Sequence, residues 1–187
     1  MDLDPKHHTP DEIYKLITGM IVPRPVAWIT SLSSNGAVNL APFSAYGLVT
    51  HKPPMLMVTI GKRENERKDT GKNIVARREF VVNVARFEDA AILHESSADF
   101  TYGESEIEHL GLQTVPSTVV GVPRLAKAVA AMECRLREKI EYPDVDSIIL
   151  LSEVVCFHVR DDLVRGGKIN TQELDPLARI GGPNYAG

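Results

Sequence analysis

The sequence predicts an antiparallel β-barrel carrying short helices, and three observations support it. β-Forming runs recur along most of the 187 residues. Asn35-Gly36 sits between two of them, a strong hairpin signal. Most runs also follow one another too closely for the helical crossovers that a parallel sheet requires.

The first element is a helix over Pro10 to Thr18 with Thr9 as its N-cap. Pro23 and Pro25 end any helix there and open an extended segment, Val26 to Leu32, rich in β-formers. Ser33 to Gly36 turns the chain, and Ala37 to Ala41 returns as the partner strand, which Pro42 stops. Ser44 to Val49 reads as a short strand and Met55 to Ile60 as a buried one. Lys62 to Lys72 is highly charged and reads as a solvated loop or as chain around an ion. Asp69-Thr70, followed by Asn73 to Arg78, reads as a capped helix start. Phe80 to Val84 is a strand, Glu88 to Glu95 a short helix, and Glu104 to Leu110 another, stopped by Gly111. Between Ala128 and Lys139 the alanines favour helix, yet Met132 to Arg137 alternates apolar and charged. That is the period of a half-buried strand, and a strand is predicted. Ile148 to Val159 is a further long strand after the turn at Tyr142-Pro143-Asp144. No repeat, low-complexity tract or linker divides the chain, so residues 1–187 are expected to form a single domain.

Composition narrows the function. The hydrophobic fraction of 43% and charged fraction of 25% are those of an ordinary globular protein. A net charge of -4 argues against nucleic acid as a partner, because that needs a basic surface to displace counterions. The apolar stretch from Met20 to Ile29 is broken by Pro23, Arg24 and Pro25, well short of the roughly 20 residues a membrane span needs. The N-terminus lacks a basic region followed by an apolar run, so no secretory signal is expected. Cys134 and Cys156 are far apart and read as reduced core thiols. A cytoplasmic location is expected.

Standard catalytic signatures are missing: there is no GxSxG, HExxH, paired CxxC, Walker loop or GxGxxG. The six histidines show no metal-ligand spacing beyond the adjacent His7 and His8. No acid/base pair stands out, so no catalytic residue is assigned and a cofactor is expected to carry any chemistry. Three constellations remain: Val22 to Ser31, Asn39-Leu40-Ala41-Pro42-Phe43-Ser44, and Lys68-Asp69-Thr70 with Asn73 and Ile74 behind it. Each alone has a dull explanation as a strand opening, a strand end or a helix cap.

In this order and spacing, the three together resemble the flavin reductase-like family, which includes flavoredoxins and the reductase components of two-component flavin monooxygenases. The resemblance is dense from Tyr14 to Val84. It continues more loosely through Met132 to Arg135, Ser152-Glu153-Val154 and Arg179 to Gly182. It implies an FMN-binding split β-barrel and a homodimer, with FMN in a groove near the dimer interface. Arg179 to Tyr185 is the stretch expected to reach the partner's groove.

The residues make physical sense of that implication. The FMN phosphate needs positive charge and donors. Lys68 offers a point charge, Thr70 a hydroxyl, and a helix beginning near Asp69 and Thr70 offers free N–H groups and a positive dipole end. Arg63 and Arg67 in the same loop either add charge to the site or are simply exposed to solvent. Thr30, Ser31, Asn39 and Ala41 stand on one hairpin, facing the donor and acceptor edge of the ring. Ala41 and Pro42 permit close approach, and Ser44 reaches toward the ribityl chain or the phosphate. Trp28 is assigned to the core.

The activity implied is NAD(P)H:flavin reductase, with hydride passing to flavin N5 and a monooxygenase or other redox protein as acceptor. The alternatives are a flavoredoxin-like electron carrier on the same pocket and a module that binds flavin or haem without turnover. A pyridoxamine-phosphate-oxidase-like activity fits the Asn39 to Ser44 motif less well.

Overall fold

A computed structural model describes the chain apart from Glu64 and Asn65, and gives only the backbone of Arg63. Its centre is an antiparallel sheet of seven principal strands: β1 (Ala27–Leu32), β2 (Val38–Phe43), β3 (Tyr46–His51), β4 (Pro54–Arg63), β5 (Glu79–Val84), β6 (Ala130–Glu141) and β7 (Ser147–Val159). They lie in the order β2-β1-β5-β6-β7-β4-β3. The two outermost strands, β2 and β3, are joined by Ser44 and Ala45 alone. A sheet whose opposite edges are tied by two residues must curl back on itself, which makes a barrel. Thr59 N–H donates to the Ala45 carbonyl (2.8 Å) beside that join. Among the described residues no ladder bridges β2 and β3, so the barrel is split along this seam.

Strand alternation sorts the side chains. Ala27 and Ile29 of β1 point into the barrel with Val58, Phe80, Leu136 and Leu150. Trp28 faces the other way, into a second core with Leu40, Leu93, Ile107, Leu125 and Leu177. This outer core lies under the short helices α3 (Ala90–Glu95) and α4 (Glu106–His109). Irregular register in the β6–β7 ladder, at Glu133/Cys134 and Leu136/Glu138, bends these two long strands around the barrel.

The helix α1 (Pro10–Met20) opens with a full capping box between Thr9 and Glu12. The buried Arg24 closes its other end, with Nη1 donating to the carbonyls of Thr18 (2.5 Å) and Ile21 (2.7 Å), a cation at the negative end of the dipole. The helix α2 (Asp69–Arg77) packs over β1 and β2.

The strands expected from the sequence are present, with ends shifted by a few residues, and Ala130–Glu141 is extended as its alternation implies. Five details differ. Pro42 does not stop its strand: β2 runs through it to Phe43, and Pro42 pairs with Trp28. Leu40 N–H points away from the sheet, to Glu106, so the nitrogen two residues on faces the same open edge and needs no ladder partner. The charged stretch from Lys62 to Lys72 is not all loop, because Glu66–Arg67 folds back on Lys62 and Arg63 before α2 begins. The first turn of α2 has no side-chain cap; Lys68 occupies the N-cap position. Glu88–Glu95 begins as a 3-10 turn, Phe87–Asp89, before α3. The strands Ala178–Gly181 and Asn184–Ala186 were not foreseen. The first of them pairs with Arg24–Pro25 of its own chain.

Asn83 sits at 0% exposure in β5 with all its polar atoms engaged. Its Nδ2 donates to the Trp28 carbonyl (3.0 Å) and Thr30 Oγ1 (3.3 Å), and its Oδ1 accepts from Leu125 N–H (2.8 Å). Asn83→Ala strands the buried Leu125 amide and the Trp28 carbonyl, each worth about 1–3 kcal/mol. Chemical denaturation should show a loss of at least about 2 kcal/mol; an unchanged midpoint would contradict this accounting.

Candidate functional site

The polar residues of the β1–β2 hairpin and of α2 meet beside a cleft of about 390 Å³. One wall is β2, through Asn39, Ala41 and Pro42. The floor is the entry to α2, through Lys68, Asp69 and Thr70. The opposite wall is the segment from Ser96 to Glu106, including Phe100 and Tyr102.

The buried Asn39 donates from Nδ2 to Thr70 Oγ1 (2.9 Å), leaving the Thr70 hydroxyl proton available for another acceptor. One turn on, Asn73 Nδ2 donates to Ser31 Oγ (3.2 Å), and Tyr102 Oη reaches Asn73 Oδ1 (3.4 Å). The first turn of α2 therefore presents backbone N–H groups without a side-chain cap, at the positive end of the helix. Lys72 is held by Glu66 (3.1 Å) and Asp69 (3.7 Å), whereas Lys68 is exposed and has no ion pair among the described residues. An anion is what this cradle fits. The donor set is uncapped amides, one hydroxyl and one ammonium, and the Asp69 charge is already offset by Lys72.

Of the residues singled out from the sequence, Asn39, Ala41, Pro42, Lys68, Asp69 and Thr70 line the cleft together. The others do not. Thr30 is fully buried and its hydroxyl donates to the Pro123 carbonyl (2.7 Å), away from the cleft, because it shares the Trp28 side of β1. Ser31 lies behind the lining as the acceptor for Asn73. Ser44 accepts from Arg24 Nε (3.4 Å) instead of lining the cleft. The Arg63 side chain lies outside the described residues. Arg67 lines the cleft but is paired with Glu141 (2.6 Å).

The far wall was missed by the sequence reading. Its signal is a polar stretch between two short helices, the kind of loop that carries function on a rigid scaffold. Trp28 anchors it by donating from Nε1 to Ser96 Oγ (2.9 Å). Ser105 and Glu106 fasten it to the free edge of β2: Ser105 Oγ donates to the Val38 carbonyl (2.7 Å), and Glu106 Oε2 accepts from Leu40 N–H (2.8 Å). These two contacts also cover a sheet edge that would otherwise be open. Burial pushes the Glu106 carboxyl above its usual range, against the bond from Leu40.

The family model described as a flavin reductase like domain matches residues 19–174. The chain belongs to this family. The family is flavin-binding. A relative from Bacillus subtilis, YwrF, is 39% identical over 184 residues, covering 94% of this chain and 88% of the relative. The crystal structure of nitrilotriacetate monooxygenase component B from Bacillus cereus is 36% identical with a TM-score of 0.95, covering 100% of this chain and 94% of that one. The Pseudomonas fluorescens 2-nitrobenzoate 2-nitroreductase NbaA is 34% identical with a TM-score of 0.90, covering 100% and 91%. Flavoredoxin of Desulfovibrio vulgaris, at 18% identity and a TM-score of 0.75 over 95% of this chain and 87% of that one, shares the fold. These likenesses agree with the split barrel read from the strands.

The Glu106 environment gives a pH prediction. A carboxyl whose folded pKa is raised is favoured by folding in its neutral form, so its contribution is complete below the unfolded pKa and declines as pH rises through the folded one. Glu106→Gln keeps an acceptor for Leu40 without the charge. Its stability relative to the parent should therefore improve from pH 4 to pH 8 in urea titrations; a difference that is flat or falls with pH would contradict the assignment.

Proposed function

We propose that this family member is an FMN-dependent oxidoreductase of the NAD(P)H:flavin reductase type. The observation that carries the reading is the uncapped start of α2, with Lys68 and Thr70 around it, opening on the cleft beside Ala41 and Pro42. Lys68, Thr70 and the first α2 amides would hold the phosphate. Asn39 would act by fixing the Thr70 hydroxyl. Ala41 and Pro42, small and rigid, would let the flavin approach β2 closely. Asp69 keeps Lys72 folded against the helix. Thr30 and Ser31 would serve by holding the hairpin and α2, and Ser44 by holding Arg24.

A bound flavin supplies hydride and electron transfer, which needs positioning more than a protein base. The chain's contribution is then to bind the anion, orient the ring against β2 and limit water through the wall from Ser96 to Glu106. Likeness to a monooxygenase component supports an oxygenase or similar redox protein as the consumer of reduced flavin. A homodimer is part of the proposal. The helix α1 buries none of its residues and leaves Tyr14, Ile17 and Met20 exposed, an apolar face suited to a second copy. Among the described residues no helix is long and apolar enough to cross a membrane, and a cytoplasmic, single-domain protein is proposed.

Two measurements test this. Lys68→Ala should weaken FMN binding by roughly one to two powers of ten, the worth of a hydrogen bond to a charged group. Riboflavin, lacking the phosphate, should bind parent and variant alike; equal losses for both flavins would assign Lys68 to folding. Anaerobic mixing with NADH and NADPH should bleach the flavin absorbance with at least one of them. No bleaching by either, with reduction by a protein donor, would move the activity to an electron carrier.

A further inference from the structure

Outside the cleft, three donors of different chemistry converge on the β6–β7 ladder. Glu133 lies directly across from Cys156 in the register. His158, two residues further along β7, projects to the same face as Cys156. His158 Nε2 is 3.8 Å from Cys156 Sγ and 2.5 Å from Glu133 Oε1, and all three ligand atoms lie within 4.8 Å of one another. None of the three lines the cleft.

Glu133 is fully buried, yet it is anchored far more firmly than a structural ion pair requires. Its two oxygens accept from the backbone N–H groups of Thr118 (2.6 Å), Val119 (2.7 Å) and Val120 (2.8 Å). Three amide donors and the His158 ring together fix the position of this carboxylate on the ladder. Cys156 and His158 are only partly buried, which leaves an approach from solvent.

We propose that Glu133, Cys156 and His158 form a binding site for a borderline-soft divalent cation, zinc being the best match. A thiolate, an imidazole and a carboxylate are the ligand types zinc takes, and three protein ligands leave a fourth tetrahedral position open. One thiolate and one carboxylate neutralise the divalent charge. Tetrahedral ligation at the usual bond lengths separates nitrogen and sulfur by about 3.6 Å, close to the spacing present. The carboxylate–imidazole contact must open by about 0.9 Å. His158 is the partner that moves, with a side chain 21% exposed against 0% for Glu133. The three amides then act as an outer shell that orients the carboxylate. Binding releases the Cys156 thiol proton to solvent, and the Nε2 proton that His158 shares with Glu133 is exchanged through solvent onto Nδ1, which frees Nε2 as the ligand atom. Without metal, the same groups form the His158–Glu133 hydrogen bond seen here.

The test uses cobalt as a spectroscopic stand-in, added to the intact purified protein with its flavin in place. The d–d bands of tetrahedral cobalt fall in the red, clear of flavin absorption. Saturable, intense bands at a single ion per chain, abolished by added zinc, are expected. Cys156→Ser and His158→Gln should each weaken cobalt binding by at least about tenfold. Weak octahedral-type bands, binding that does not saturate, or affinity unchanged in both variants would overturn the site. Should a variant misfold, the parent spectrum and the zinc competition decide the matter alone. Flavin binding enters neither readout, so the proposal can fail while the reductase reading stands.

Discussion

Two hydrogen bonds between buried side chains tie α2 to the β1–β2 hairpin, and the shape of the cleft follows from them. Asn39 to Thr70 and Asn73 to Ser31 are both made between buried groups. Such bonds are costly to leave half made, so the helix has one register against the hairpin. That register puts the uncapped first turn beside Ala41 and Pro42. A helix shifted by one residue would rotate Thr70 by about 100° away from Asn39 and point its free amides elsewhere.

The edge of β2 shows a second constraint. Leu40 N–H and the Val38 carbonyl are the outward groups of an outermost strand, and Glu106 and Ser105 satisfy them. The same contacts set the far wall of the cleft at a fixed distance from the near one. Pro42 is accepted in the same strand because its missing donor would face that outer edge. Protection of a sheet edge and formation of a binding cleft are one arrangement.

Much of this was legible in the sequence. Asn35-Gly36 marked the hairpin, the alternation from Met132 to Arg137 marked β6 against its helix-favouring alanines, and Lys68-Asp69-Thr70 marked the start of α2. Trp28 was assigned to the core and is there. What was not legible depends on facing and on distance along the chain. Thr30 and Asn39 lie on neighbouring strands and both looked available, but Thr30 shares the Trp28 side of β1 and is used by Pro123, 93 residues away. The wall from Ser96 to Glu106 carries no motif, because its role comes from docking onto β2. Arg24 and Ser44 belong to two of the three motifs, yet they serve each other and the end of α1. The pairing of Ala178–Gly181 with Arg24–Pro25 spans almost the whole chain and has no local signal.

The central claim is that the first turn of α2 receives the phosphate of a bound flavin. Backbone amide NMR of the intact protein tests it most directly. Saturating FMN should shift the Thr70 and Gly71 amide protons downfield, as hydrogen bonds to phosphate form, while riboflavin leaves both near their free positions. Amides of Thr70 and Gly71 that stay still under FMN, or move equally with riboflavin, would contradict the account.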